Sequence, residues 1–199
     1  KLLFEFAWRD YWRHIWYMTG EKIHSEMEPP KVKLGRNPLP PYITESQTKL
    51  PCIDGFVQTL KETGYLHNHA RMWLSSYLIH WQIIDLREAS RWMHDLLLDG
   101  DEASNSLSWQ WVASTFGSKP YFFNQENLAK YTHQQYCHSC TVQCPFRDTY
   151  SNLEHKLFQA VVDQPIVNKP TEQSIRHASE VISLPITQQT GDKTIIWVH

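Results

Sequence analysis

The chain has 199 residues, enough for one sizeable domain with its own hydrophobic core. Its formal net charge of −2 excludes a globally basic surface for nucleic acid, so any such contact needs a local patch. No apolar run approaches about 18 residues, which excludes a membrane-spanning helix. The chain is rich in aromatic residues, with nine Trp, nine Tyr and eight Phe, and these are consistent with a core, a cofactor pocket or a surface on which bases stack.

Helical spacing dominates the first 162 residues and predicts an all-α domain over 1–162. A helix is expected over residues 2–18, and the proline-rich residues 26–42 predict a loop. Four further helices are predicted by recurring apolar residues: Ile53, Phe56, Val57 and Leu60; Leu74, Tyr77, Leu78 and Trp81; Ala89, Trp92, Met93 and Leu96; Leu153, Leu157, Ala160 and Val161. Gly64 is expected to end the first of these four.

Residues 163–199 predict a polar tail that ends in a strand. The run from Ile195 to Val198 is continuously apolar, which favours a strand buried on both faces. A lone strand cannot satisfy its own backbone groups. We therefore expect either that His199 is a truncation point with an α/β domain after it, or that the strand pairs with the helical domain or a neighbouring chain. Because no initiating Met is present, residues 1–162 are expected to be N-terminally incomplete.

The cysteines predict a metal centre. Cys137, Cys140 and Cys144 follow a C-x2-C-x3-C pattern, and Cys52 is the only other cysteine. Cys137, Cys140 and Cys144 are too close together in the sequence for ordinary disulfide pairing. Because no export signal is present, the chain is expected in the cytoplasm of a bacterium or in a reducing organelle, and not to be secreted.

Three interpretations of the cysteine centre remain open on spacing alone. A [4Fe-4S] cluster suits four cysteines and a terminal Cys-Pro pair. Structural zinc is the alternative, since His133 and His138 lie beside the cysteines. The third interpretation is that the cysteines hold no metal and are free thiols or disulfides.

The stretch NSLSWQWVAS (105–114) carries two tryptophans one residue apart. Residues two apart on a helix cannot share one buried stripe. One of Trp109 and Trp111 must therefore face something other than the ordinary core.

Three segments together resemble a known family: FEFAWRDYWRHI (4–15), ETGYLHNHARMWLSSYLI (62–79) and LLLDGDEASNSLSWQWVASTFGSKPYFFN (96–124). They are similar to the helical FAD-binding domain of the cryptochrome/photolyase family, over roughly residues 1–131. The order of the cysteines resembles the iron–sulfur branch of bacterial cryptochromes and photolyases. The resemblance implies FAD, a [4Fe-4S] cluster held by Cys52, Cys137, Cys140 and Cys144, and light-driven repair of pyrimidine dimers in DNA.

The resemblance also implies the cofactor contacts. Asn105 matches the asparagine beside flavin N5, where an amide favours the reduced state. Asp99 and Asp101 match acidic residues near the isoalloxazine and ribityl groups. Three further matches are Arg71 as the partner of Asp99, Arg9 near the phosphates or substrate, and Trp109 on the flavin side.

The substrate contacts follow in the same way. Glu5 matches the carboxyl group that hydrogen-bonds the dimer, and Trp8 and Trp111 match the wall on which the flipped dimer stacks. Asn68 and Met72 indicate a deoxyribodipyrimidine photo-lyase of the cyclobutane type, because the (6-4) class typically carries histidines at these two positions.

Departures from the family pattern keep two other functions open. Leu86 stands where the family has a tryptophan of its electron relay, and the family's serine-rich phosphate-binding segment and antenna domain would precede Lys1. A cryptochrome-like blue-light sensor or redox flavoprotein without repair is one alternative. The other is a non-enzymatic helical module whose fold is stabilised by a bound metal.

Overall fold

The computed structural model describes residues 2–158, without the side chains of Leu2 and Glu5, and all regular secondary structure within this range is helical. The only β-type pairing among these residues is an isolated bridge between Asn37 and Ile84. None of the described helices is both long and apolar enough to cross a membrane. The α-helices are α1 (Leu2–Thr19), α2 (Pro41–Thr44), α3 (Pro51–Thr63), α4 (Asn68–Ser76), α5 (Leu86–Leu96), α6 (Glu102–Ala113), α7 (Gln125–Tyr131) and α8 (Tyr150–Phe158).

Helix α3 follows the sequence prediction at both ends. Pro51 occupies its first turn, where the missing N–H costs nothing. Gly64 takes a left-handed conformation (φ 65°) at its C-terminus and donates its N–H to the Leu60 carbonyl at 2.8 Å. The four apolar residues at helical spacing are all buried, so this face forms the predicted contact with the core.

The next predicted helix departs from α geometry. Helix α4 ends at Ser76 and is followed by a π-helical segment, Tyr77–Trp81. In this wider turn the N–H of Gln82 donates to the Tyr77 carbonyl, five residues back. The periodicity located the helix correctly, but the change of helix type has no signature in apolar spacing.

Helix α6 lies at the centre of the fold. It packs against α1, α4 and α5, and seven of its twelve residues are buried. Its Gln110 is 2 % exposed and holds the loop after α1, because its amide donates to the Ile23 carbonyl at 2.7 Å and accepts from the Met27 N–H at 2.9 Å. The main core lies among α3 to α7, and Trp12, Ile23, Ala103 and Leu107 form a second cluster between α1 and α6.

The predicted loop over 26–42 needs a correction, and the last predicted helix extends beyond the residues that the structure describes. The loop predicted over 26–42 gives way at Pro41 to the short helix α2. Helix α8 confirms the last predicted helix as far as Phe158, with Leu153 buried. Ala160, Val161 and the predicted tail and strand of 163–199 lie outside the described residues.

Candidate functional site

Arg71 and Asp99, both expected near the flavin, form an ion pair. The Nη2 of Arg71 donates to both Asp99 oxygens at 2.8 and 2.9 Å. Its Nε donates to the Leu66 carbonyl at 2.8 Å, and the guanidinium lies 5.4 Å from the centre of the Tyr65 ring. These contacts hold the Arg71 side chain in one orientation and neutralise the charge of Asp99 just before α6.

Asp101 is the N-cap residue just before α6 and contacts two arginines of α1. Its Oδ1 accepts hydrogen bonds from the backbone N–H of Ser104 at 3.0 Å and from the Ser104 hydroxyl at 2.7 Å, which caps the helix. Its Oδ2 accepts from the Nε of Arg13 at 2.8 Å and lies 3.6 Å from the Nη2 of Arg9. Burial alone would raise the pKa of Asp101, but the hydrogen bonds from Ser104 and Arg13 outweigh it and hold that pKa below its usual value. The carboxylate therefore stays charged at neutral pH.

Arg13 belongs to this site although the sequence prediction omitted it. It stands four residues after Arg9, a spacing that places both side chains on one face of α1. That spacing is the feature of the sequence that could have identified it. The contact with Asp101, 88 residues away, could not be found in the same way.

Arg9 leaves a buried donor without a partner. Its Nε is shielded from solvent and has no hydrogen-bond acceptor among the described residues. A buried donor in this state costs free energy unless a ligand or water satisfies it. An anionic group beside Arg9 would supply the acceptor, so these residues fit a phosphate-bearing cofactor.

The two tryptophans of α6 have different environments, as their spacing requires. Trp109 is 3 % exposed and belongs to the main core, whereas Trp111 is 40 % exposed and lies 5.4 Å, centre to centre, from the Tyr121 ring. On the same helix, Asn105 donates its amide to the Ser90 carbonyl at 3.0 Å. This bond orients the amide of Asn105, so that its side-chain oxygen is the atom that could accept a hydrogen bond from a ligand.

Helix α1 presents a second exposed indole. Trp8 is 47 % exposed and stacks on Trp12, with ring centres 5.2 Å apart and 28° between the planes. Trp12 is buried and contacts Phe116, 5.8 Å between ring centres. Trp12 therefore packs against one side of the Trp8 indole, which remains partly exposed to solvent. Glu5 lies one turn earlier in α1, but its side chain is outside the description.

Asn68 and Met72 lie one turn apart at the start of α4. Asn68 is exposed, and its amide nitrogen is 3.9 Å from the sulfur of Met72. Leu86, at the position of the family's relay tryptophan, is 5 % exposed and packs in the core at the start of α5. The indole expected there is thus replaced by an aliphatic side chain.

All four cysteines line one cavity. Cys52 lies in the first turn of α3, and Cys137, Cys140 and Cys144 come from the loop between α7 and α8. The rest of the lining is largely apolar: Leu50, Pro51, Leu128, Tyr136, Val142 and Phe146, with Gln125. The structure therefore brings together a residue and a loop that are more than 80 residues apart.

Burial favours the protonated form of three of the thiols in this cavity. Burial raises the pKa of Cys52 to about 12, and it also raises the pKa values of Cys137 and Cys144. His133 and His138 are exposed and do not belong to the lining. Within the part of the chain that the structure describes, no three His, Cys, Asp or Glu side chains converge as they would on a single metal ion.

Comparisons with known proteins give the family context. The family model of the FAD binding domain of DNA photolyase matches residues 2–174. The mitochondrial deoxyribodipyrimidine photo-lyase of Saccharomyces cerevisiae is 34% identical over 134 residues, which cover 63% of this chain and 24% of that protein. The deoxyribodipyrimidine photo-lyase of Escherichia coli is 34% identical over 125 residues, which cover 59% of this chain and 26% of that protein.

These coverages mean that the chain spans only about a quarter of the length of the curated relatives, 24% and 26% for these two. Among solved structures, an archaeal photolyase from Sulfolobus tokodaii, crystallised with two FAD molecules, superposes with a TM-score of 0.57. Its sequence identity is 22%, and the match covers 92% of this chain and 44% of that one. This likeness shows the shared helical fold.

Proposed function

This chain belongs to the DNA photolyase family through its FAD-binding domain, and from that premise we propose that it is a photolyase-like flavoprotein acting on pyrimidine dimers in DNA. As an enzyme it would be a deoxyribodipyrimidine photo-lyase of the cyclobutane type. The observation that carries the proposal is α6 itself: arginines pair with carboxylates at its start, and its later turns carry one buried and one exposed tryptophan.

We assign the cofactor contacts to Arg9, Arg71, Asp99, Asp101, Asn105 and Trp109. The buried Nε of Arg9 supports an anionic cofactor, because a phosphate oxygen would complete its hydrogen bonding. Asp101 holds Arg9 and Arg13 together, so two cations would face the same ligand. Reduced FAD bound here would supply, on absorbing light, the electron that splits the dimer.

We assign the dimer contacts to Glu5, Trp8, Asn68, Met72 and Trp111. The exposure of Trp8 and Trp111 supports this assignment, because large indole rings are otherwise expected to be mostly buried. They belong to α1 and α6, which pack against each other. Stacking a base on an indole contributes about 1–3 kcal/mol, which offsets part of the cost of moving the dimer out of the duplex.

Light-dependent repair of a thymine-dimer oligonucleotide by the reduced protein tests this function. We expect Glu5→Ala to lower the repair yield with flavin occupancy intact, because the proposed partner of Glu5 is the substrate. Glu5→Gln is the matched control, since it keeps a hydrogen-bonding side chain of the same size and should retain part of the yield. Absence of repair by the unaltered protein would refute the proposal, and loss of flavin from Glu5→Ala would refute the placement of Glu5.

A light-sensing or redox flavoprotein without repair is the second candidate, and Leu86 favours it. The side chain is buried in the core where a relay indole is expected, and an aliphatic group cannot be oxidised as indole can. Trp81 and Trp92 are the indoles that could replace it. Flavin that binds normally and photoreduces, in a protein that repairs no dimers, would support this function over the first.

We further propose that the cysteine cavity holds a [4Fe-4S] cluster. Four cysteines line one largely apolar cavity, which matches the usual ligand set of such a cluster. Zinc is the alternative: four cysteines can also hold it, but the histidines of a mixed zinc site are exposed outside the lining. Cys52, Cys137, Cys140 and Cys144 would lose their protons on binding metal, so assembly should be favoured by rising pH.

Metal analysis of Cys140→Ala tests the cluster. We expect the unaltered protein to contain iron and acid-labile sulfide in equal amounts, and the variant to lose both and to aggregate, because metal-binding free energy contributes to folding when ligands join distant segments. Ser139→Ala is the control, since it changes the same exposed loop and keeps every cysteine. Zinc without sulfide would favour a zinc site, and a soluble variant with normal flavin would contradict the structural role.

A further inference from the structure

Three rings stack in a row at the start of α4, among residues that the proposed function does not use. His67 and His69 lie 5.2 Å apart, centre to centre, with only 3° between their planes. His69 in turn stacks on Tyr131 of α7 at 4.6 Å and 17°. His67 is exposed, and Tyr131 is 49 % exposed. The row, here called the ring row, therefore joins two helices and reaches the surface at both ends.

An unusual helix cap creates the ring row. His67 precedes α4 with a non-helical backbone (φ −58°, ψ 145°), and its Nδ1 accepts the N–H of His69 at 3.3 Å. Side chains two apart inside a helix point away from each other, so only this non-helical cap brings the two imidazoles into contact. Histidine is not a favoured capping residue, whereas Asn68, one position later, is of a favoured type. A local rule broken in this way is typical of a functional site.

The surroundings of the ring row suit a nucleic acid strand. Asn68 stands between the two histidines in sequence and is assigned to the dimer site together with Met72. The ammonium of Lys130 lies 5.4 Å from the centre of the Tyr131 ring, which places a cation beside the Tyr131 end of the row, opposite His67. Flat rings with an adjacent cation are the two elements that bind single strands without sequence preference.

We propose that the ring row stacks, through the exposed face of His67, against a nucleobase next to the dimer, with Lys130, at the opposite end of the row, near a phosphate farther along the strand. The proposal rests on the proposed function, because it takes the dimer site to lie beside Asn68. The imidazole of His67 supplies the flat face, and the hydrogen bond that its Nδ1 accepts from the His69 N–H fixes the orientation of the ring. His69 and Tyr131 keep that face in place from behind.

Two substitutions at one position separate stacking from capping. His67→Asn removes the ring and keeps a capping side chain, whereas His67→Phe keeps a ring and removes the cap acceptor. Binding of the intact protein to a labelled single-stranded oligonucleotide is measured in the dark by fluorescence anisotropy, with and without one thymine dimer. We expect His67→Asn to weaken binding about 5- to 100-fold, and His67→Phe to stay within about twofold of the unaltered protein.

An abasic nucleotide beside the dimer provides the second arm. It should weaken the unaltered protein by a similar factor and leave His67→Asn nearly unaffected, because the stacking partner is already missing. Equal binding by His67→Asn and the unaltered protein would overturn the proposal, and so would a loss confined to His67→Phe. If the protein has no preference for the dimer, the proposed function fails, while the comparison on undamaged single strands still decides the stacking.

Discussion

Replacing Asp101 with Ala removes a carboxylate that has two separate roles at the start of α6. The side chain is only 8 % exposed. One oxygen caps the helix through Ser104, and the other accepts from Arg13 at 2.8 Å. The Ala variant loses both interactions, whereas Asp101→Asn keeps a capping oxygen of the same size and loses the charge.

The two roles have different expected magnitudes. Loss of a helix cap costs about 1 kcal/mol. A hydrogen bond to a charged group contributes about 1.5–3 kcal/mol, but the Arg13 side chain is 54 % exposed, so solvent screening reduces its share to about 1 kcal/mol. We therefore expect the free energy of unfolding to fall by about 2 kcal/mol for Asp101→Ala and about 1 kcal/mol for Asp101→Asn, or about 4–8 °C and 2–4 °C in Tm.

Urea denaturation at several pH values measures both contributions. Because the pKa of Asp101 is lowered in the folded state, its charge stabilises the protein above the ordinary aspartate pKa of about 3.9, and this contribution is lost as the pH falls below that value. The difference between the unaltered protein and Asp101→Asn should therefore disappear in acid. Equal losses from Asn and Ala at neutral pH, or a difference that grows in acid, would refute this account.

Two further predictions concern buried and left-handed positions. Burial lowers the pKa of His80 to about 4. The free energy of unfolding should therefore fall by about 3 kcal/mol as the pH drops from about 6.5 to about 4. In His80→Gln, which cannot take up this proton, the free energy of unfolding should change less over the same pH range. Gly64→Ala should cost about 2 kcal/mol in urea, because φ is +65° and the added Cβ would lie 2.4 Å from Leu98. Gly20→Ala has a similar φ with nothing within 4 Å and should cost less; equal losses would show that the contact with Leu98 is unimportant.

The local features of this protein are encoded locally. Apolar spacing predicts the buried face of α3, and Gly64 predicts its end, because helix period and backbone freedom depend on neighbouring residues alone. The i, i+2 spacing of Trp109 and Trp111 likewise predicts two different environments. The resemblance to the photolyase family extends these predictions to individual site residues, whose roles stay predictions.

Tertiary packing decided the rest. Spacing alone required one exposed tryptophan in α6 and could not say which, because this depends on which helices cover each face; only the family resemblance pointed to Trp111. The contact of Asp101 with Arg13 and the meeting of Cys52 with the α7–α8 loop depend on residues far apart in the chain. Such contacts form only when several elements pack together, and no local spacing specifies them.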